Sequence, residues 1–489
     1  MRRPPSRTTV LVAAILALAL AVRLVEVETT SYRPVNDAGT YLALASQIAH
    51  TGNYTNSHAP GVGAGGTRGP SAYFPPGYPY LLAAVDLIDG HTSVKRVNGH
   101  TRIPSGAVHG ARISQALLGT VTVALIGLVA LEGLGELTAL IALLLAALYP
   151  VFIGLSGTIV AENLATPLVL GALWAGLRAL RSERPYRWLV GAGVLTGLAV
   201  LTHVNTIVVL VPLLLVGWRV RPASAAGSAA GPLGIRPRHH RAAAESSRWW
   251  RSVAAPGLIV GCMLLTLVPW LVRNAVVMHR FVFVTDETGI TLVGTYNPAS
   301  ANNPGIPYKW RLYYGIPGEG PLIGQAGRLT EPGLSDRLQT QGQNYISDHL
   351  YAPFAVAFYN SRRLLELEGS GAWRASANAI SLPIGLARVG VIGFWVLCLL
   401  ALAGAVTRAA RRAWRWLWVT PVLLWLSVAV INAETPRFRE PVDAFLILLA
   451  ACGLAAALRW LQPRLRRAPV AGSGVGPRSA GASERVEVG

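Results

Sequence analysis

Ten stretches of mostly apolar residues recur along the chain, at roughly 9–26, 108–131, 135–155, 158–178, 187–202, 203–218, 252–272, 383–406, 416–432 and 441–459. Crossing a hydrocarbon core ~30 Å thick takes about 20 such residues, because a helix rises only ~1.5 Å per residue. Inside that core there is no water, so a crossing segment must satisfy its own backbone, which a helix does. The expectation is an all-α polytopic membrane protein with about ten transmembrane helices. The fifth and sixth stretches are short and nearly contiguous, and they are the weakest pair in the count. Composition agrees, since 13% of the 489 residues are charged and 52% are hydrophobic, against about 25% charged in soluble domains.

A formal net charge of +20 raises the question of nucleic acid, and its distribution answers it. Arginines gather at Arg2, Arg3 and Arg7; at Arg178, Arg181, Arg184 and Arg187; in 219–251; at Arg408, Arg411, Arg412 and Arg415; and beyond Arg459. With ten spans and an inner N-terminus, every cluster faces the cytoplasm, as the positive-inside bias requires. Both termini are then cytoplasmic, and the partner is a bilayer rather than nucleic acid. The short connection around Glu132 and Glu136 should also be cytoplasmic, yet it carries no basic residue. Residues 1–25 also read as a signal peptide, whose cleavage would leave the orientation unchanged. Cys262, Cys398 and Cys452 all lie in apolar stretches without metal-ligand spacing, so no metal or other cofactor is expected, with a divalent cation left open.

Segments outside the spans divide the chain. Residues 1–272 form an N-terminal transmembrane module with an outer loop (27–107) and a flexible, Ala/Gly/Pro/Ser/Arg-rich cytoplasmic loop (219–250). Residues 273–382 form an extracytoplasmic cap, 383–462 the C-terminal transmembrane helices, and 463–489 a disordered cytoplasmic tail. No internal repeat of the kind seen in paired-half transporters is present.

Chemistry should sit in the outer regions. Tyr41, Leu44, Ala45 and Ile48 recur at helical spacing from Asp37 to His50 and make one apolar stripe. Asp37 opens that helix, where the positive end of the dipole favours an anion. It is either an N-cap or a base beside the membrane, and one carboxylate can be both. Residues 57–72 carry five glycines and form a mobile link. Phe74-Pro75-Pro76-Gly77-Tyr78-Pro79 then starts a second helix running to about Leu87.

Asp37 with Tyr41, followed by this Phe-Pro-Pro-Gly-Tyr-Pro segment, resembles the first loop of the GT-C glycosyltransferases that use polyprenyl-phosphate sugars. The protein O-mannosyltransferases and the aminoarabinose transferase of lipid A are among them. The likeness continues in Ser156-Gly157-Thr158-Ile159-Val160-Ala161-Glu162-Asn163-Leu164, in Pro269-Trp270-Leu271-Val272-Arg273-Asn274 and in Arg437-Phe438-Arg439-Glu440-Pro441-Val442-Asp443. The resemblance implies a GT-C-like bundle with amphipathic helices in the first outer loop and a small outer cap. It implies Asp37 as catalytic base, a polyprenyl-phosphate sugar as donor, and a glycan, lipid or protein acceptor outside the cytoplasm. Such a transfer inverts the anomeric centre and places the active site on the outer face of the cell membrane.

Roles follow from the chemistry. A departing polyprenyl phosphate gains negative charge, so fixed cations must face it, and arginine binds phosphate with a planar, permanently charged fork. Arg273 is the first candidate; Arg437 and Arg439 follow, one of which can instead pair with Glu434 or Glu440. Arg68 in the glycine-rich link is a further candidate. Glu162 is assigned to the acceptor or sugar, assisting Asp37, and Tyr41, Tyr78, Asn205 and Tyr296 to substrate contacts. Tyr308, Trp310, Tyr313 and Tyr314 offer faces for sugar stacking. Two departures stand out. Ala38 follows Asp37 where relatives often have a second acid, and His203 stands where they often have Lys or Arg. Histidine is fully charged only below about pH 6.5.

Other classes stay open. A transporter or flippase of lipid-linked glycans should carry ionisable residues mid-span, and the central spans are nearly free of them. A catalytically inactive glycan-binding relative fits the same sequence. There is no Gly-rich phosphate loop after a strand and no Asp-x-Asp motif for a nucleotide sugar.

Overall fold

The structure, a computed structural model, describes residues 6–55, 69–90, 95–97, 100–220 and 240–467. Arg68, most of the 57–72 link, the middle of the 219–250 loop and the tail beyond 467 lie outside the described residues. All ten apolar stretches are helical, and the only strands described are the short antiparallel pair Lys95–Val97 and His100–Arg102. The protein is all-α and a multi-pass membrane protein.

Among the described residues, five helices are long and apolar enough to cross a membrane: Arg7–Thr29, Ser105–Leu134, Val253–Val277, Ile384–Ala405 and Arg437–Gln462. A sixth results if Glu136–Leu148 and Pro150–Ser156, bent by 55°, count as one span. Pro150 causes that break, since it lacks an N–H and its ring clashes with the preceding turn. The other predicted spans are shorter or less apolar. Glu162–Ala179, buried on nearly every side, packs against Ser105–Leu134 and Pro185–Thr202. The predicted fifth and sixth stretches meet at His203, where extended backbone separates Pro185–Thr202 from a 3-10 turn, Val204–Val209. Glu132 is satisfied from a distance. Arg178 and Arg181 reach it at 2.8 and 3.0 Å, so the connection that lacks its own basic residues borrows two.

The first loop is built as expected in its helices. Asp37–Thr51 buries Tyr41, Leu44 and Ala45, with Ile48 packed beside them. Gly77–Asp89 follows. Gly77 permits a close approach: a Cβ there would lie 2.7 Å from Thr202 Oγ1 and 2.9 Å from the Leu201 carbonyl oxygen. Tyr41 rests on Phe74 and Tyr78 with ring centroids 4.6 and 4.9 Å apart. This aromatic cluster continues into Val200, Trp270, Ile290 and Val293, and so joins the loop, the bundle and the cap in one core.

In the cap, helix Glu331–Asp348 begins four residues before the expected start at Ser335. Thr330 caps it by accepting from the Gly333 N–H at 3.3 Å, and Pro332 sits in the first turn. Its Glu331 carboxylate accepts from Ser71 Oγ at 2.8 Å and the Ala72 N–H at 2.6 Å. The cap is thereby fastened to the first loop. A separate helix, Ala352–Leu364, stops short of the expected end at Leu367.

Candidate functional site

Asp37 is not the cap of its helix. Asn36 occupies that position with φ 49° and no side-chain capping bond, a strained conformation that Asn tolerates better than most residues. The Asn36 amide instead donates to the Ala379 carbonyl at 2.9 Å. The Asp37 carboxylate is left to point across the bundle, where Arg437 Nη1 donates to its Oδ2 at 2.7 Å.

Around this pair lies a cavity of about 160 Å3. The first loop contributes Asp37, Tyr41, Phe74 and Pro75; the bundle contributes Glu162, Thr202, His203 and Asn205; the cap contributes Thr285, Glu287 and Thr291; the C-terminal region contributes Ser427, Ile431, Asn432 and Arg437. Glu162 is buried, with 4% of its side chain exposed; it faces His203 Nε2 at 3.6 Å and Arg437 Nε at 4.0 Å. The Asp37 side chain is 32% exposed and is the more accessible of the two acids. Arg437 also pairs with Glu434 at 3.0 Å, and its Nε has no hydrogen-bond partner among the described residues. Burial first, then the charges of Asp37 and Glu162, hold the Tyr41 phenol well above its ordinary pKa, so it stays a donor. Asn205 Nδ2 donates to Ser427 Oγ at 3.1 Å.

Glu287 was not foreseen. It opens helix Thr288–Thr295 from the cap side and is half-buried on the cavity wall. Burial, with the Asp37 carboxylate next in weight, pushes its carboxyl up to about 7. A signal was present, because Asp286 and Glu287 are the only acids between Arg273 and Gly318.

Other predicted site residues take different positions. Arg273 donates to the carbonyls of Ser71 at 2.6 Å and Tyr54 at 2.8 Å, and its guanidinium lies 4.6 Å from the Trp270 ring. It thus clamps both ends of the glycine-rich link. It also lines a second, largely apolar cavity of about 580 Å3 with Pro76, Leu81, Leu164, Leu198 and Trp270. Thr202 borders both cavities. Arg439 faces away from the first cavity: it is fully buried, 3.0 Å from Asp443 and 3.2 Å from Glu366, over the Phe394 ring at 3.4 Å. Tyr78 is buried against Tyr41, and Tyr296 donates to the Val430 carbonyl at 2.6 Å; neither lines the cavity, nor do Tyr308, Trp310, Tyr313 and Tyr314. Arg68 lies outside the described residues. Among those residues no group of three or more His, Cys, Asp or Glu is arranged to hold a metal ion.

Several ionisable residues are buried within the bundle. Arg23 is fully buried and donates to Ser156 Oγ at 3.2 Å and to the carbonyls of Ala146 and Ala147. Arg112 lies 3.5 Å from Glu26 and donates to the Gly157 carbonyl at 2.7 Å. Tyr149 donates to Asp443 Oδ2 at 2.9 Å.

Comparison with known proteins agrees with the resemblance read from the sequence. Residues 98–221, which include Glu162, Thr202, His203 and Asn205, match the model of the dolichyl-phosphate-mannose-protein mannosyltransferase family, a member of the GT-C superfamily. No curated protein matches the chain. Among solved structures, it is similar to the oligosaccharyltransferase AglB of Archaeoglobus fulgidus in complex with an inhibitory peptide and a dolichol-phosphate. Identity is 13% and the TM-score 0.47, over 96% of this chain and 52% of that one. The protein O-mannosyltransferase Pmt1–Pmt2 complex of S. cerevisiae bound to its sugar donor gives 16% and 0.40, over 56% of this chain and 34% of that one. ArnT from Cupriavidus metallidurans bound to undecaprenyl phosphate gives 16% and 0.38, over 95% and 82%. The chain thus spans about half the length of the oligosaccharyltransferase.

Proposed function

We propose that the protein transfers a sugar from a polyprenyl-phosphate donor to an acceptor hydroxyl or other nucleophile outside the cytoplasm, with inversion. One observation carries the reading. A cavity with the charged or titratable side chains of Asp37, Glu162, Glu287, His203 and Arg437 in its wall shares Thr202 with a larger, largely apolar groove. That juxtaposition suits a molecule with a polar head and a long apolar tail. The family match over 98–221 supports the same donor class.

In this reading the tail lies along Pro76, Leu81, Leu164 and Trp270, with Arg273 at the mouth. Asp37 accepts the proton of the attacking nucleophile as its atom bonds to the anomeric carbon. The bond from that carbon to the phosphate oxygen breaks, and polyprenyl phosphate leaves with the electron pair. Arg437 and His203, both on the cavity wall, face the departing phosphate. Glu162 orients both, being within 4.0 Å of each. Glu287 supplies the second carboxyl that Ala38 withholds from the first loop, and donates a hydrogen bond to substrate while protonated.

The test is to incubate purified, reconstituted protein with candidate polyprenyl-phosphate sugars and follow release of polyprenyl phosphate. Release by the native protein and none by Asp37→Asn is the expected outcome. Equal release by both overturns Asp37 as base and passes the role to Glu162 or Glu287.

A further inference from the structure

The cap is uneven in what it shows to its surroundings. Helix Glu331–Asp348 exposes Asp336, Arg337, Thr340, Gln341, Gln343, Asn344, Ser347 and Asp348, all polar or charged. The next helix, Ala352–Leu364, buries Ala352, Val356, Asn360, Arg363 and Leu364 and turns a large apolar face outward. Phe354 is 79% exposed and Phe358 58%, with Leu350 at 75% and Tyr351 at 61% in the turn before. Residues 350, 354 and 358 fall at i, i+4, i+8 and form one stripe. A soluble cap would lose free energy by showing such a patch to water.

We propose that Ala352–Leu364 is an interfacial helix whose phenylalanine face is sunk into the membrane leaflet on the site's side of the bundle. Continuity with the lipid-facing surface identifies that occupant. Asn360 Nδ2 donates to the Ala429 carbonyl at 2.9 Å and Trp425 Nε1 to Ser361 Oγ at 3.0 Å. These bonds fix the helix against Arg415–Ala429, an apolar helix that itself exposes Val419, Val422 and Leu426. The exposed phenylalanines thus extend an outward apolar surface already present on the bundle. The polar residues flanking them match an interface as well. Tyr351 stands at one end, Arg362 lies within 6 Å of the Phe358 and Tyr359 ring centroids (5.8 and 5.9 Å), and Arg374 is exposed beyond. Aromatic rings and arginines at the headgroup level, with phenylalanine below, are the pattern of helices lying in a membrane surface.

The anchor bears on the cavity. Helix Arg415–Ala429 and the residues after it supply Ser427, Val428, Ile431 and Asn432 to the cavity wall. The bilayer therefore holds that wall through Asn360 and Ser361, independently of which substrate the cavity takes.

The test uses the full chain, with Cys262, Cys398 and Cys452 replaced by alanine, in vesicles of phosphatidylethanolamine and phosphatidylglycerol. A nitroxide is attached at Phe354→Cys, Phe358→Cys or, as a reference, Gln341→Cys, and its collisions with oxygen and with a water-soluble nickel chelate are measured. Oxygen should dominate at 354 and 358 and the chelate at 341. Dominance of the chelate at 354 and 358 overturns the proposal, because the face is then in water. Exclusion of both reagents overturns it equally, because a protein partner or second copy then covers the face.

Discussion

Arg437 and Arg439 are two residues apart and lead opposite lives. Arg439 sits in a closed cluster: Asp443 and Glu366 neutralise it, the Leu364 carbonyl accepts from it, and Phe394 covers its face. Arg437 sits in an open one, paired with Asp37 and Glu434, within reach of Glu162, and bordering empty space. A buried charge whose partners all come from the fold contributes to holding the fold together. A charge beside a cavity of about 160 Å3 has room for a substrate, which the space of about 20 Å3 next to Arg439 does not offer. The difference separates two arginines that the motif Arg437-Phe438-Arg439 presents as equals.

The sharpest way to break this distinction is at the partner acid. Asp37→Asn is expected to reduce transfer by about 10²–10⁴-fold, the usual cost of losing a general base, while thermal stability changes little. Donor binding measured on the same sample should persist, and turnover near the native rate would remove Asp37 from the chemistry. Arg439→Met should act on the other ledger, destabilising by about 3–5 kcal/mol because Asp443 and Glu366 are left buried without their cation. Its thermal midpoint should fall clearly; an unchanged midpoint would mean the closed cluster is not structural.

Arg437→Gln is expected to lower turnover by about 10²–10³-fold, the range for removing one donor from a developing oxyanion, with a smaller drop in stability than Arg439→Met. If the two variants swap phenotypes, the contrast is wrong. The smallest effect concerns Glu287. Its folded pKa of about 7 lies above the ordinary value, so the stability it allows is present at acid pH and is lost as pH rises toward about 7. Glu287→Gln should therefore melt higher than the native protein above pH 7 and alike near pH 4. If protonated Glu287 donates to substrate as proposed, native turnover should decline above pH 7 and that of Glu287→Gln should decline less.

What the sequence made legible was periodic or local. Apolar runs marked the helices because a bilayer crossing is a length requirement, and the Tyr41–Ile48 stripe marked its helix because 3.6-residue spacing is local. The helix opening at Asp37 was equally plain, but its freedom from capping depends on Asn36 and on a carbonyl at Ala379. Charges satisfied across the fold could not be read. Glu132 meets Arg178 and Arg181 from another turn, Arg439 meets Glu366 from the cap, and Arg273 spends donors on Tyr54 and Ser71. Glu287 opens a helix that Ser335 backs closely: a Cβ on Gly289 would come 2.0 Å from the Ser335 carbonyl oxygen. Nothing in the spacing of Asp37, Glu162 and Glu287 announces that they meet.

The wall shared at Thr202 has a kinetic consequence. In the proposed transfer, a donor entering along the apolar groove would arrive from a two-dimensional solvent, and its spent lipid would return there. The concentration that saturates the enzyme is then a mole fraction of membrane lipid rather than a molarity. Diluting proteoliposomes with buffer should leave the donor occupancy of each enzyme unchanged, whereas fusing them with donor-free vesicles should lower it in proportion to the added lipid.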